Sequence, residues 1–288
     1  MDTVGGTLLH CSLALSTVTL KKSYKHPILT DRSRRLKTKD PSAIERTVGQ
    51  EFRHFATTTV TRPIHMLFTE PIVAFFCLYA AFDFGVLYVF VVASPATFAD
   101  VYGFDLEQQG LSFIDFIIGT CIGPIPVILI DRLIYQPGLS DSPGSQSQSA
   151  PERRLYAAIL GSVLFPIGLF WYGWTMRDDI HWACPIAAQG VALAGALDVY
   201  IATNLYLMDT SGPLYGASAQ GANSLTRYAL STATPLFALQ MFDGLRIAWA
   251  ASLLGFLAIA LAPIPWVLNR YGETVRAKSK YPAGDWRQ

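Results

Sequence analysis

The sequence has 288 residues and a net charge of +1, with 51% of its residues hydrophobic and only 15% charged. A soluble domain carries about 25% charged residues, so this composition disfavours a soluble protein, and the near-zero net charge gives no reason to expect a nucleic-acid partner. Long apolar stretches that alternate with short polar breaks predict instead an all-α fold, a polytopic bundle of membrane helices.

The first 62 residues are interpreted as a cytoplasmic N-terminal segment and linker. Residues 7–20 are mildly apolar, but they are too short to span a bilayer, and no lysine or arginine precedes them as one would in a signal peptide. Residues 21–62 are polar and contain eleven lysines and arginines, which favours a cytoplasmic location.

Six apolar stretches follow, each long enough to cross roughly 30 Å of hydrocarbon at about 1.5 Å per residue. We predict spans 1 to 6 at about residues 66–93, 111–130, 155–176, 183–208, 217–241 and 247–268. Together they predict a six-helix transmembrane domain over residues 63–270, followed by a cytoplasmic tail over 271–288. Inside this domain we expect residues 132–152 to form a mobile cytoplasmic loop, because the tract is rich in Ser, Gly, Pro and Gln.

The distribution of basic residues agrees with this layout. Eleven of the 22 lysines and arginines precede span 1, three lie between spans 2 and 3, and five follow span 6, which places 19 of them on one side. Arg177 and Arg246 fall in loops on the other side, and the loop after span 1 has three acids and no base. Because positive charge accumulates in cytoplasmic loops, we expect both ends of the domain to face the cytoplasm.

Ionisable groups at membrane depth are costly and therefore mark candidate functional sites. Asp83 lies midway along span 1, with Tyr79 one turn before it; Asp83 could bind a cationic substrate, carry a proton, or only hydrogen-bond to a neighbouring helix. Asp115 lies about one turn into span 2, where it could still meet water. Asp198 lies near the middle of span 4, with Asn204 further along the same helix.

Span 2 also carries a stripe of small residues. Gly119 and Gly123 are four residues apart, and Asp115 is four residues before them, so the three share one helix face. This spacing predicts a surface suited to close packing against another helix.

Span 5 has the clearest polar stripe, at spacings of 3, 4, 4 and 3 that place its members on one face: Gln220, Asn223, Arg227, Ser231 and Thr234. Such a stripe must face protein or a water-filled path, because lipid cannot satisfy its hydrogen bonds. Arg227 is the only base within a predicted span. It could pair with a carboxylate on another span or line a cavity, and the sequence leaves both open.

No motif for catalysis or metal binding is present in the sequence. There is no HExxH, P-loop or GxSxG pattern, and the four cysteines show no CxxC or Cys/His spacing. We therefore expect no enzymatic activity, no cofactor and no metal.

Several stretches resemble the fungal drug:proton antiporters of the major facilitator superfamily, the group that contains fluconazole-resistance and polyamine exporters. Their seventh helix is similar to RPIHMLFTEPIVAFFCLYAAFDFGVLYVF, their ninth to PERRLYAAILGSVLFPIGLFWYGWT, their eleventh to YGASAQGANSLTRYALSTATPLFALQMF, and their twelfth with its tail to AWAASLLGFLAIALAPIPWVLNRYG and RAKSKY. The linker after their sixth helix resembles HPILTDRSRRLKTKD. Gly123 with Asp131 and Arg132 resembles a degenerate copy of the superfamily's loop motif. The resemblance covers roughly residues 21–281.

This resemblance implies one half of a major facilitator fold, in which substrate binds near the midplane between two six-helix halves. It implies export of small hydrophobic compounds, such as drugs, toxins or secondary metabolites, coupled to protons. Since the sequence lacks the family's first half, we expect a chain truncated to its C-terminal half that acts with a second transporter half or as a homodimer. The alternative is a non-transporting remnant, or an assembly or regulatory partner of a full-length exporter. Lipid, a small-molecule substrate and protons are the expected partners, and the plasma membrane, or alternatively the vacuolar membrane, is the expected location.

Overall fold

The computed structural model describes residues 61–135 and 151–277. The predicted N-terminal cytoplasmic segment, residues 1–62, lies outside the described residues except for its last two positions. So do residues 136–150, which form most of the expected cytoplasmic loop, and the tail beyond residue 277.

The described secondary structure is helical throughout. Span 1 is the helix Pro71–Tyr102, and a short helix, Arg62–Thr69, precedes it. Glu70 separates the two helices with extended backbone angles (φ −108°, ψ 107°), because the ring of a proline disfavours helical geometry in the residue before it. Span 1 therefore begins later than the predicted residue 66 and ends later than residue 93.

Spans 2 and 3 are joined through the expected cytoplasmic loop. Span 2 is built from three helices and a final π-helical turn: Leu106–Leu111, Ile114–Ile122, Pro124–Ile130 and Asp131–Tyr135. Span 3 consists of a 3₁₀ turn, Pro151–Arg154, and the helix Leu155–Thr175.

The remaining spans lie in one helical run, Ala183–Leu261, followed by the helix Pro263–Ala277. The run is interrupted at Gly212 (φ 63°, ψ −178°) and at Arg246 (φ 63°, ψ 157°). These two breaks define span 4 as residues 183–211, span 5 as 213–245 and span 6 as 247–277. The last helix extends beyond residue 270, where the cytoplasmic tail was predicted to begin.

Counted by length and hydropathy alone, five helical stretches could cross a membrane, and the last of them, Tyr215–Ala277, has 63 residues. A straight helix of that length would be roughly 95 Å long, about three times the hydrocarbon thickness. The positive φ of Arg246 ends the helical path inside this stretch. The stretch therefore contains two crossings, spans 5 and 6.

Contacts between helices establish the alternating direction of the spans. Asn223 contacts Asn204, and Arg227, one turn later in span 5, contacts Tyr200, one turn earlier in span 4. Spans 4 and 5 are therefore antiparallel.

Contacts among the other spans fix their directions in the same way. Spans 3 and 6 are antiparallel, from the pairs Trp174–Ser252 and Ser162–Trp266. Spans 1 and 4 are antiparallel, from Ser94–Gln189 and Phe76–Tyr206, whereas spans 1 and 3 are parallel, from Phe82–Phe165 and Phe90–Tyr172. Spans 2 and 4 are parallel, because Gly119 lies against Leu193 and Gly123 lies against Leu197. Each span thus runs opposite to the next, as a bundle of six membrane crossings requires, and the predicted fold class is confirmed.

Candidate substrate site

The polar stripe of span 5 faces spans 4 and 1. The side-chain amide of Asn223 donates a hydrogen bond to Oδ1 of Asn204 at 3.0 Å, and the Gln220 amide donates to the Asn204 carbonyl oxygen at 3.3 Å. Thr234 lies against Gly85 of span 1, and Ser231 is buried. The stripe is therefore enclosed by protein along most of its length.

Arg227, in the middle of this stripe, is surrounded by aromatic side chains. Its guanidinium carbon lies 4.4 Å from the ring centre of Phe84, 4.8 Å from that of Tyr228 and 5.2 Å from that of Tyr200. The guanidinium also donates hydrogen bonds to the hydroxyls of Tyr200 and Tyr228. No ion pair to Arg227 occurs within the described residues, so aromatic rings take the place of the carboxylate partner that the sequence left open.

Asp83 lies on a small cavity beside this aromatic group. The cavity has a volume of about 50 Å³, enough for a few water molecules. Its wall is mainly apolar and aromatic, with side chains from spans 1, 2 and 4: Phe84, Leu87, Phe116, Thr120, Leu193, Leu197 and Tyr200. Phe84 and Tyr200 therefore belong both to the cavity wall and to the rings around Arg227.

The Asp83 side chain is only 2% exposed, and neither of its oxygens has a hydrogen-bond partner among the described residues. The hydroxyl of Tyr79, one turn away and fully buried, is likewise without a partner in that part of the chain. A carboxylate buried in this way is strongly disfavoured unless a proton or a ligand neutralises it. Asp83 is thus a buried carboxyl group that lies on a cavity and has no hydrogen-bond partner among the described residues.

Asp115 is completely buried, so the expectation that it could meet water is wrong. The cause is the close approach of span 4: a Cβ built on Gly119 would lie 2.9 Å from Leu193 Cβ, and one on Gly123 would lie 3.1 Å from the Ala194 carbonyl oxygen. The stripe of small residues on span 2 therefore packs directly on span 4 and covers Asp115.

Asp198 lies on a different face of span 4 from the cavity. Leu193, Leu197 and Tyr200 line the cavity, whereas Asp198 faces span 3, where its Cβ would be 2.7 Å from a Cβ built on Gly161. Both of its oxygens lack a partner among the described residues. The structure therefore does not bring Asp198 together with Asp83 and Arg227.

Sequence reasoning missed the aromatic residues that connect these features: Phe84, Tyr200 and Tyr228. Two signals pointed to them. Phe84 is adjacent to Asp83 in the sequence, and Tyr200 is four residues before Asn204, on the same helix face. The pairing of these rings with Arg227 depends on how three helices pack against one another. The spacing of residues within a single helix carries no information about that packing.

Ion pairs connect the predicted cytoplasmic ends of the spans. Arg154, at the start of span 3, lies 2.7 Å from a carboxylate oxygen of Asp209 in span 4 and 3.6 Å from one of Asp131 in the last turn of span 2. Arg276 in span 6 lies 2.8 Å from Glu152. Four spans are thus held together at the side where basic residues accumulate.

Comparison with known proteins identifies relatives over most of the chain. It is 33% identical to polyamine transporter 4 of Saccharomyces cerevisiae, over 91% of this chain and 43% of that protein. It is 37% identical to the citrinin biosynthesis cluster MFS transporter ctnC of Monascus purpureus, over 93% of this chain and 51% of that protein. It is 33% identical to the major facilitator superfamily multidrug transporter FLU1 of Candida albicans, over 96% of this chain and 45% of that protein.

The chain spans about half the length of the curated relatives it matches. No protein-family profile matches it, and no solved structure does.

Proposed function

Because this chain belongs to the major facilitator superfamily of membrane transporters, we propose that it takes part in the proton-coupled export of small hydrophobic compounds. The observation that carries the proposal is the cavity on which the buried carboxylate of Asp83 lies between spans 1, 2 and 4. An unpartnered carboxylate at membrane depth lowers stability, so its presence in a cavity is best explained by a role in binding.

The cavity holds only a few water molecules, so in this proposal its wall forms one part of a larger substrate path, and the chemistry of that wall suits contact with an amphipathic small molecule. Phe84, Leu87 and Phe116 supply apolar contact area, while Asp83 can exchange a proton or bind a polar group of the substrate. The names of the relatives refer to polyamines, to a citrinin biosynthesis cluster and to multidrug transport. We extend to this chain the class that these names share, a small organic compound.

The transport unit contains a second set of six helices in this proposal. The relatives are about twice as long as this chain, and the superfamily binds its substrates between two halves. A second copy of this chain or a separate polypeptide would supply the other wall of the path. Export would then take place in the plasma membrane, or alternatively in the vacuolar membrane.

The test is an efflux assay in a pump-deficient yeast strain that expresses this chain with a C-terminal fluorescent fusion. We expect cells to retain less of a panel of hydrophobic fluorescent compounds than cells with an empty vector, and to lose this difference when the proton gradient is dissipated. Asp83→Asn tests the role of the carboxyl group, because it keeps the shape of the side chain and removes its ability to ionise, and it should abolish the difference.

Two outcomes would count against the proposal. A fusion that reaches the membrane but leaves retention equal to the empty vector, alone and with a co-expressed N-terminal half from a relative, would favour the non-transporting partner. Export that persists without a proton gradient would remove the proton-coupled part only.

A further inference from the structure

The arrangement around Arg227 points to the chemical class of the substrate, an inference that rests on the proposed transport function. Arg227 is 9% exposed. Within the described residues no carboxylate pairs with it, and Asp83, the acid on the cavity wall, makes no hydrogen bond to it. A buried cation that has no anionic partner in the protein is costly, and a bound substrate anion would neutralise it.

The aromatic rings stabilise the guanidinium and still leave donors on its edge. A guanidinium has five N–H donors in one plane. Two of its nitrogens donate to the hydroxyls of Tyr200 and Tyr228, and Nε has no acceptor among the described residues. Contact between the rings and the guanidinium restricts its orientation, and an arginine edge is matched in geometry to a carboxylate.

The surroundings specify the rest of the ligand. Phe84 and Tyr200 contact Arg227 and also line the cavity of about 50 Å³, whose remaining wall is largely apolar. Arg227 itself does not line this cavity, so a ligand held at Arg227 would first meet Phe84 and Tyr200, with aliphatic side chains such as Leu87 and Leu193 beyond these two rings. This combination suits a flat apolar group attached to an acid.

We propose that Arg227 binds the carboxylate of an amphipathic organic acid, whose apolar part packs against Phe84 and Tyr200. The competing chemistry is a ligand amine held by Asp83 on the cavity wall. The two differ in the charge that they select: the Arg227 site favours an anion over the matching neutral amide, and the Asp83 site favours a cation over both.

The experiment measures equilibrium binding to the purified full chain in phosphatidylcholine nanodiscs, with empty nanodiscs to subtract partition into lipid. The probes are radiolabelled benzoate, benzamide and benzylamine, which share one ring and differ in charge. We expect benzoate to bind at least about tenfold more tightly than benzamide, the size of one charge-assisted contact. Arg227→Gln should abolish this preference.

Two further variants separate charge from geometry. Arg227→Lys keeps the charge but loses the planar fork, so we expect part of the benzoate preference to disappear. Arg177→Gln removes an arginine from an exposed pair with Asp179 and should leave benzoate binding unchanged. Both are checked for folding by size-exclusion chromatography.

The comparison of the three probes on the unmodified chain decides the proposal even if no Arg227 variant folds. Tighter binding of benzylamine, equal binding of benzoate and benzamide, or no binding of any probe would each overturn it. So would a benzoate preference that survives in folded Arg227→Gln. Binding is read without transport, so a benzoate preference without export would contradict the transport proposal and support this one.

Discussion

Asn223 and Asn204 join spans 5 and 4 through a side-chain hydrogen bond, with Nδ2 of Asn223 3.0 Å from Oδ1 of Asn204. The Asn204 amide in turn donates to the Tyr200 carbonyl oxygen at 2.6 Å, and the Tyr200 side chain contacts Arg227. The bond thus fixes the register of the two helices that hold the aromatic group around Arg227.

We expect Asn223→Ala to destabilise the protein by about 1 kcal/mol, since interhelical hydrogen bonds in membranes contribute about 0.6 and at most about 1.7 kcal/mol. Thermal unfolding in detergent measures the change. Thr232→Ala is the control, because Thr232 is exposed and its one side-chain hydrogen bond within the described residues is to the Tyr228 carbonyl oxygen of its own helix. Equal effects of the two variants would mean that the Asn223–Asn204 bond contributes nothing specific.

Arg154 joins two helix ends at once, to Asp209 at 2.7 Å and to Asp131 at 3.6 Å, and its side chain is 18% exposed. We expect Arg154→Ala to reduce stability by about 1–3 kcal/mol, since removing one partner of a charged hydrogen bond leaves the other unsatisfied. Arg177→Ala, whose pair with Asp179 is more than half exposed, should change stability by less than about 1 kcal/mol. The two are compared by unfolding at low and high salt, and similar losses for both would contradict a role for Arg154 in joining the spans.

Close contact between spans 3 and 4 depends on small residues. A Cβ added at Gly195 would lie 2.6 Å from the backbone nitrogen of Phe165, whereas one at Gly190 would have no atom nearer than 3.7 Å. We expect Gly195→Ala to reduce stability by about 1–3 kcal/mol through overpacking, and Gly190→Ala on the same helix to be nearly neutral. The yield of monodisperse protein and its melting temperature report both; a well-folded Gly195→Ala would show that the spans can separate at little cost.

The layout of the bundle could be predicted from the sequence, because hydropathy and the position of lysine and arginine act within single segments. The spacing of Gln220, Asn223 and Arg227 likewise identified one helix face. The prediction that Asp115 could meet water was wrong, because the burial of Asp115 depends on the close packing of Gly119 against another helix. The contacts of aromatic rings with Arg227 were missed for the same reason, because they form only when three helices pack together.

The crossing at the interrupted helix can be tested directly. We expect a short polar insert with an Asn-x-Thr acceptor between Gly244 and Arg246 to be glycosylated in a eukaryotic membrane, because the break at Arg246 lies at the predicted outer side. The same insert after Ala277 should remain unmodified. If residues 215–277 crossed only once, the insert after Ala277 would be modified instead.

Asp83 and Asp198 are two buried acids in different surroundings. Asp83 lies on the cavity, whereas Asp198 is directed at Gly161 of span 3, yet both are almost fully buried and without a partner among the described residues. We expect Asp83→Asn to abolish efflux while leaving the protein abundant, and Asp198→Asn to retain efflux, since the same chemical change is made off the path. Efflux and fusion fluorescence are measured in the same cells. Loss of abundance in Asp83→Asn would assign this residue to packing, and loss of efflux in an abundant Asp198→Asn would extend the path beyond the cavity, to the contact between spans 3 and 4.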